Sequence, residues 1–262
     1  MPAAPLIAYT NVGKTFDSGR VVAVDDVSLE VAEGEFLAIV GGSGSGKTTL
    51  LRLATRLIEA DSGAITVEGE DVRNVDPILL RRRIGYVFQS GGLFPHLSVA
   101  DNIGITPKLT GTPPAEISAR VEELLDLVRL DRAQYRDRLP HELSGGQRQR
   151  VGVARALAAK PRIVLMDEPF GALDPLTRDA LGDDFRELHK KLGLTTVMIT
   201  HDMTEAILLA DRIAVMRGGK LLAQGTPVEL SESGDAYVGE LLRTPRRQAE
   251  RLGALLPQGG AA

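Results

Sequence analysis

The chain has 262 residues, of which 43% are hydrophobic and 25% charged, and its formal net charge is −4. This length and composition are sufficient for one sizeable domain with a subdomain. The slight acidity provides no basic footprint for nucleic acid, and the lack of cysteine excludes a disulfide scaffold and a thiolate metal site.

No apolar stretch approaches the roughly 18 residues that a membrane-spanning helix needs. The longest candidate, residues 151–166, is interrupted by Arg155, Lys160 and Arg162. Residues 1–9 lack the charged and apolar regions of a signal peptide. We therefore expect a soluble, cytoplasmic protein that reaches a membrane only through a partner.

The first third of the chain is typical of short strands and turns. Residues 36–40 (FLAIV) form a continuous apolar run, which predicts a strand buried on both faces of a parallel sheet. A helical pattern follows over residues 47–58. The predicted order of strand, loop and helix is the context that a phosphate-binding loop requires.

Residues 41–48 (GGSGSGKT) fit the pattern G-x-x-x-x-G-K-[ST] of such a loop. Glycines let successive backbone N–H groups point at phosphate oxygens, and the start of the helix adds its dipole. Lys47 is then expected to neutralise phosphate charge, and the Thr48 hydroxyl to bind Mg²⁺. The alternative is a Gly/Ser turn before a core helix, which the preceding strand disfavours.

Gln89 follows an apolar strand predicted over residues 84–88, and its amide could reach Mg²⁺ or the attacking water. The stretch from about residue 93 to residue 160 then has a different pattern. After Pro113 and Pro114, apolar residues recur at helical spacing, which predicts a mainly helical insert.

Residues 143–147 (LSGGQ) lie near the end of this insert, before a helical run over residues 147–159. Ser144 is a good N-cap, and Gly145 and Gly146 leave N–H groups accessible to an anion. In isolation this would be an ordinary helix cap. Beside the phosphate loop it is a second anion-binding helix start, which one nucleotide would not need, and it indicates a protein that works as a pair.

The apolar residues 163–166 predict a buried strand that delivers Asp167 and Glu168 to the carboxyl edge of the sheet. Asp167 is expected to hold Mg²⁺, and Glu168 to polarise the attacking water as general base. Alone, such a pair is more often a helix cap or a solvated turn, but the phosphate loop favours the catalytic interpretation.

His201 follows a strand predicted over residues 195–200, at the edge where the γ-phosphate should lie. The alternative for His201 is a cap or a satisfied polar contact, and no such role is expected of the other three histidines. Asp174-Pro175 and the capping box from Thr226 to Glu229 mark two later helix starts. The overall order predicts an α/β parallel sheet with an inserted helical subdomain.

In this order the motifs closely resemble the ATPase subunit of ATP-binding cassette (ABC) transporters. The resemblance covers about residues 6–242 and includes Gln89, LSGGQ, a GALD loop at residues 171–174 and His201. It implies a P-loop NTPase (RecA-like) fold with an N-terminal antiparallel β-subdomain. The implied divisions are an ATPase domain at 1–242 and a C-terminal tail at 243–262. The ATPase domain consists of a core with the β-subdomain, at about 1–92 and 160–242, and a helical subdomain at about 93–159. The composition of the tail indicates a peripheral helix or a loose tail.

The resemblance also implies that two subunits pair head to tail and hold two ATP molecules between them. Glu168, His201 and Gln89 are then catalytic, and Mg²⁺ is held by Thr48, Gln89 and Asp167. The residues implied to bind ATP are Phe16, Gly41, Gly42, Ser43, Gly44, Ser45, Gly46, Lys47, Thr48, Thr49, Ser144, Gly145, Gly146, Gln147 and Asp174. Among these, Phe16 matches the aromatic that stacks on adenine, where the family often has Tyr, and Asp174 would couple the two sites.

The implied partners are a second ATPase subunit, transmembrane permease subunits and an extracytoplasmic solute-binding protein. In the family the permease contact lies near Gln89 and the start of the helical subdomain, here residues 90–97. The apolar Leu93-Phe94-Pro95 would suit a groove for a short permease helix, with local packing as an equally weighted alternative. The implied location is peripheral, on the cytoplasmic face of the bacterial inner membrane.

Four segments resemble more narrowly the importer ATPases for osmoprotectants such as glycine betaine, choline or carnitine: residues 55–59 (TRLIE), 92–96 (GLFPH), 139–143 (LPHEL) and 200–206 (THDMTEA). Many of those importers carry C-terminal nucleotide-sensing CBS modules, for which this chain ends too soon, so we do not expect this subunit to sense ionic strength. Alternatives are an importer for amino acids or another small solute and, remotely, a soluble ABC ATPase acting on nucleic acid or ribosomes. One cassette, a short insert and the net charge of −4 disfavour the last.

Overall fold

The computed structural model describes residues 4–89 and 91–255. In chain order the strands are β1 (Ile7–Phe16), β2 (Val21–Val31), β3 (Phe36–Val40), β4 (Ser62–Val67), β5 (Glu70–Asp71), β6 (Ile84–Val87), β7 (Ile163–Asp167), β8 (Thr195–Thr200), β9 (Arg212–Arg217) and β10 (Lys220–Gly225). The helices are α1 (Lys47–Ala54), α2 (Pro77–Arg83), α3 (Val99–Leu109), α4 (Pro114–Leu127), α5 (Arg132–Tyr135), α6 (Gly145–Leu157), α7 (Pro175–Leu192), α8 (Met203–Leu209), α9 (Pro227–Ser231) and α10 (Ala236–Leu255).

The strands form two sheets. The larger has the order β10-β9-β3-β8-β7-β6, in which β10 is antiparallel to β9 and the other neighbours are parallel. The smaller sheet has the order β2-β1-β4-β5 and is antiparallel. The sequence prediction of an α/β fold with a parallel sheet and an N-terminal antiparallel sheet is therefore confirmed.

Strand β3 shows why the larger sheet is buried on both faces. Phe36, Ala38 and Val40 belong to the hydrophobic core that includes residues of α3, α4, α6 and α7, whereas Leu37 and Ile39 belong to the core shared with α1 and the smaller sheet. Successive side chains of a strand point to opposite faces, so both faces of β3 require apolar residues. The polar residues of the site can therefore lie only at the ends of such strands.

The chain between β6 and β7 is helical. The described residues of this stretch form α3 to α6, and α3, α4 and α6 pack against one another. The expected helical insert lies here, while the limits 93–159 of a separate subdomain stay a prediction. Within the described residues no helix is both long and apolar enough to cross a membrane.

Two predicted helix limits are wrong. The helix after the phosphate loop ends at Ala54 and not at residue 58, because Arg56 takes a left-handed φ of 48°, which a right-handed helix cannot include. Helix α6 occupies Gly145–Leu157 and so lies two residues earlier than predicted. Helix α10 passes through residue 243, so the described part of the segment expected to be a peripheral helix or a loose tail is helical; residues 256–262 lie outside the described residues.

Candidate functional site

The phosphate loop connects β3 to α1 and depends on two glycines. Gly41 has a φ of 156° and Gly46 a φ of 101°, both on the side of the φ/ψ map that favours glycine. A Cβ atom at Gly41 would lie 2.2 Å from the carbonyl oxygen of Met216, and one at Gly46 would lie 2.2 Å from that of Ala23. The loop is therefore held between β9 and β2, and no other residue type fits at either position.

Lys47, the first residue of α1, lies buried inside this loop. Its Nζ donates to the carbonyl oxygens of Gly41 at 2.8 Å and Gly42 at 3.0 Å. Burial lowers the pKa of Lys47, and the carboxylates of Glu168 and Asp167 oppose that shift. The Lys47 ammonium group thus lies among the backbone groups that start α1. This arrangement favours the binding of an anion.

The other predicted residues of the loop differ in exposure. Gly42, Ser43 and Gly44 are exposed, and Ser45 is buried. Thr49 is half-buried in the first turn of α1.

Thr48 and Asp167 meet at the carboxyl edge of the sheet, as their predicted shared role requires. The Thr48 hydroxyl donates to Asp167 Oδ1 over 3.0 Å. The Tyr86 hydroxyl, from β6, donates to Asp167 Oδ2 over 3.4 Å. Burial and the Asp167 carboxylate raise the pKa of Tyr86, so it stays a neutral donor. The sequence prediction missed Tyr86, whose signal is a phenol in the strand that leads to Gln89.

Glu168 follows β7 in a strained backbone conformation. Its φ is 47°, in the left-handed region that costs a residue other than glycine roughly 1–3 kcal/mol. Its backbone N–H donates to the Ile199 carbonyl of β8 over 3.0 Å. The strain and the bond together direct the half-buried side chain along the edge of the sheet.

Gln89 and His201 both reach the Glu168 carboxylate. Gln89 Nε2 donates to Glu168 Oε2 over 3.0 Å, and His201 Nδ1 lies 3.5 Å from the same oxygen. Gln89, Glu168 and His201 follow the adjacent strands β6, β7 and β8. The structure therefore brings together the three side chains that the sequence predicted to be catalytic, although they are distant in the chain.

The segment that carries His201 is anchored by residues that the sequence analysis left without a role. The Thr200 hydroxyl donates to Glu205 Oε2 over 2.6 Å and accepts from the Asp202 N–H over 3.0 Å. Burial raises the pKa of Glu205, against the effect of the Thr200 hydrogen bond. Arg178 of α7 lies 3.6 Å from Glu205 Oε1 and donates to the Leu173 carbonyl over 3.1 Å. The histidine is thus tied to the loop at residues 171–174.

The second predicted anion site has the geometry of a capping box at the start of α6. Ser144 Oγ accepts from the Gln147 N–H over 3.3 Å, and Gln147 Oε1 accepts from the Ser144 N–H over 2.9 Å. Ser144 and Gly145 are exposed, and Gly146 is half-buried. Among the described residues no hydrogen bond joins residues 144–147 to residues 41–49.

Two further predicted residues are exposed. Phe16 ends β1 opposite Val21, and the residue is 40% exposed. Asp174 is the N-cap of α7 and accepts from the Thr177 N–H over 3.0 Å, a bond that lowers the pKa of Asp174. Both side chains are accessible to another molecule.

Comparison with known proteins agrees with this geometry. The ABC transporter family model matches residues 24–171. The choline transport ATP-binding protein of Bacillus subtilis (strain 168) is 49% identical over 242 residues, which cover 92% of this chain and 63% of that protein. The glycine betaine uptake system ATP-binding protein of Escherichia coli (strain K12) is 49% identical over 225 residues, which cover 86% of this chain and 72% of that protein.

Among solved structures, the chain is similar to an ATP-binding cassette in the dimeric structure of a post-hydrolysis state bound to ADP and Pi. The TM-score is 0.75 at 32% identity, and the match covers 84% of this chain and 98% of that chain. This chain spans 63% of the length of the first two curated relatives that it matches.

Proposed function

Because this chain belongs to the ABC transporter family, we propose that it hydrolyses ATP to drive uptake of a quaternary-amine osmoprotectant through separate membrane subunits. The observation that carries the hydrolytic part is the position of Glu168, whose carboxylate lies beside Gln89 and His201 at the edge where the phosphate loop ends. In this proposal the phosphates of ATP bind to the loop N–H groups and to Lys47.

Hydrolysis then needs a water molecule aligned with the γ-phosphate. Glu168 accepts a proton from this water as its oxygen forms a bond to phosphorus and the bond to the β-phosphate oxygen breaks. The Gln89 amide and the His201 imidazole hold the water and the γ-phosphate in line. Most of the catalysis is therefore positioning and charge stabilisation.

The residues at the sheet edge fit Mg²⁺. The Thr48 hydroxyl and the Asp167 carboxylate are 3.0 Å apart, and Gln89 adds an amide close to Glu168. Within the described ranges no group of three or more His, Cys, Asp or Glu side chains could hold a metal alone. Mg²⁺ typically binds one or two protein oxygens together with phosphates and water, and it neutralises phosphate charge.

The second anion site suits a second copy of this chain. Ser144, Gly145 and Gly146 start α6 at an exposed position, where their backbone groups can meet the phosphates of ATP bound to a partner. Two copies related by a two-fold axis complete two such sites at once. The dimer of the similar ATP-binding cassette supports this arrangement. Exposed Phe16 and Asp174 would then contact adenine and the opposite site.

A groove beside Gln89 suits a membrane subunit. It has a volume of about 470 Å³, and its lining includes the exposed apolar side chains of Phe88, Phe94 and Leu109 together with three arginines, Arg81, Arg82 and Arg155. Leu93 is half-buried against the core, so only part of the Leu93-Phe94-Pro95 segment is available. Ser90, at the start of the expected contact, lies outside the described residues. An amphipathic helix of a permease would bury these side chains.

The osmoprotectant assignment rests on the two curated relatives, which are named for choline and glycine betaine transport and are each 49% identical to this chain. The proposal places the subunit on the cytoplasmic face of the inner membrane, where it works with a permease and an extracytoplasmic solute-binding protein. An importer for an amino acid or another small solute is the second candidate.

The test is to purify the subunit with its membrane subunits and solute-binding protein and to measure ATP hydrolysis. Glycine betaine, choline or carnitine should raise the rate several-fold, whereas amino acids should not. The rate of ATP hydrolysis measured with Glu168→Gln in the same assembly gives the background. Stimulation by an amino acid alone would contradict the osmoprotectant assignment, and no ATP hydrolysis under any condition would contradict the ATPase assignment.

A further inference from the structure

Arg155, near the end of α6, makes an unusual set of contacts with the segment that follows Gln89. Its side chain is buried, and its Nη1 and Nη2 atoms donate to the carbonyl oxygens of Gly92 and Gly91, each over 2.7 Å. The guanidinium carbon lies 5.9 Å from the ring centroids of both Phe88 and Phe94. One side chain thus contacts two backbone carbonyls and one aromatic ring of the segment at residues 91–97, and also the ring of Phe88 just before Gln89.

Other residues of α6 support the same contact. Gln149 Nε2 donates to the Phe88 carbonyl over 3.3 Å. A Cβ atom at Gly152 would lie 3.1 Å from the Gly91 Cα, so the helix backbone and the segment are in direct contact. The segment and α6 therefore pack as one unit over more than one helical turn.

The contact connects two parts of the molecule that have separate roles in the proposed function. Phe88, Gly92, Phe94 and Arg155 line the groove proposed for a membrane subunit. At its other end α6 begins beside Ser144, about 16 Å away at 1.5 Å per helical residue. A helix transmits displacement along its axis because its backbone hydrogen bonds keep it rigid.

We propose that Arg155 is the positioning residue that ties the segment after Gln89 to α6, so that an occupant of the groove sets the position of Ser144 and the glycines after it. The inference rests on the proposed function for the identity of that occupant. It depends on arginine specifically, because a planar guanidinium can donate to two carbonyls at once and stack on aromatic rings, whereas a lysine ammonium cannot do both.

Hydrogen exchange of the isolated chain tests the link without a membrane subunit. Arg155→Lys keeps the charge but removes the forked donor. We expect about tenfold faster exchange in residues 91–97 and also in the amides of Gln147 and Arg148, which bond to Ser144. Exchange in residues 41–48 should not change, because the phosphate loop is anchored to β2 and β9.

Arg150→Lys is the matched control, because Arg150 also lies on α6 and donates to a carbonyl, that of Val128, over 2.8 Å. Arg150→Lys should leave hydrogen exchange unchanged both in residues 91–97 and at the amides of Gln147 and Arg148. Faster exchange confined to residues 91–97 would overturn the inference, since the contact would then be local. No change in either segment, or the same change in Arg150→Lys, would also overturn it.

In the purified assembly, Arg155→Lys should lower the ratio of the solute-stimulated to the unstimulated rate of ATP hydrolysis about tenfold. An unchanged ratio of stimulated to unstimulated rate would overturn the inference. If solutes fail to stimulate the wild-type assembly, the proposed function fails, and the exchange experiment still decides the role of Arg155.

Discussion

At the scale of single residues, the site depends on side chains whose positions are set by the backbone. Glu168 takes a left-handed φ of 47° and is bonded through its N–H to Ile199. Gln89 and His201 then share its carboxylate. Strained backbone of this kind persists only where the surroundings fix it, and it is concentrated at functional sites.

Glu168→Gln should separate binding from hydrolysis. The amide keeps the size of the side chain but cannot accept the proton of the attacking water, so turnover should fall by roughly 10²–10⁴-fold. ATP affinity should stay near wild type, and ATP-bound dimer should accumulate on size-exclusion chromatography. The exposed Glu232 provides the control Glu232→Gln. Near-normal turnover in Glu168→Gln would mean that Glu168 is not the base.

Gly46→Ala should destabilise the protein more than Gly44→Ala. Both positions have positive φ, but a methyl group at Gly46 meets the Ala23 carbonyl, whereas the space around Gly44 is open. The steric overlap should lower the free energy of unfolding of Gly46→Ala by about 1–3 kcal/mol, in addition to the cost of placing alanine at a positive φ, which both variants share. Urea denaturation measures the free energy of unfolding, and equal values for the two variants would show that the loop relaxes away from β2.

At the scale of elements, the end of β1 is held by one carboxylate. Asp61, just before β4, accepts from Lys14 Nζ over 2.6 Å, from the Thr15 N–H over 2.7 Å and from the Thr15 hydroxyl over 2.8 Å. These bonds lower the pKa of Asp61 to about 2. Lys14 also lies 5.6 Å from the centroid of the Phe16 ring. The position of the proposed adenine-stacking residue therefore depends on a pair of strands outside the phosphate loop.

Asp61→Asn should give a pH-dependent loss of stability. A carboxylate with a depressed pKa stabilises the fold above its unfolded value near 3.8, and this contribution disappears as the pH falls through about 2. The melting temperature of the variant should be lower by roughly 2 °C at pH 6, and the difference should vanish towards pH 2. Asp126→Asn, at an exposed position of α4, is the control that should show no such trend. A difference that does not depend on pH would contradict the ionic origin.

The sequence predicted those elements whose chemistry is local. The phosphate loop, the Ser144 cap and the Asp174 cap all follow from neighbouring residues, and the apolar run of β3 predicts its burial. The end of α1 was not predicted, because Leu57 and Ile58 continue the apolar pattern while the left-handed backbone of Arg56 ends the helix. The contacts of Tyr86 and Arg155 were missed because their partners are distant in the chain. Tyr86 lies 81 residues from Asp167, and Arg155 lies 63 residues from Gly92 and 64 from Gly91.

At the scale of the whole molecule, one chain holds two helix starts proposed to bind anions, and these share no hydrogen bond within the described residues. The first is lined by Lys47 and Thr48, next to Glu168, and the second is the exposed start of α6. We therefore expect each to serve ATP together with the other across an interface between two copies. The active unit is therefore expected to be a dimer that ATP closes and hydrolysis releases.

Ser144→Arg should abolish hydrolysis without loss of ATP binding to a single subunit. A long cation at the start of α6 blocks the partner's ATP and opposes the positive end of the helix dipole, while residues 41–49 are untouched. Fluorescent-nucleotide titration at low protein concentration measures monomer binding, and turnover is measured at high concentration. Ser233→Arg, also at an exposed serine, is the control. Loss of monomer binding in Ser144→Arg would mean that this helix start contacts its own nucleotide.

The three side chains proposed to be catalytic follow β6, β7 and β8, and this distribution has a consequence for how the chain acquires activity as it folds. Gln89 and Glu168 are 79 residues apart in the chain and meet only when β6 and β7 pair in parallel register. Pairing over such a separation requires closure of a long loop and is slow compared with helix formation. On refolding, ATP hydrolysis should therefore return later than the helical circular dichroism signal, and the delay would report the rate at which the parallel sheet is completed.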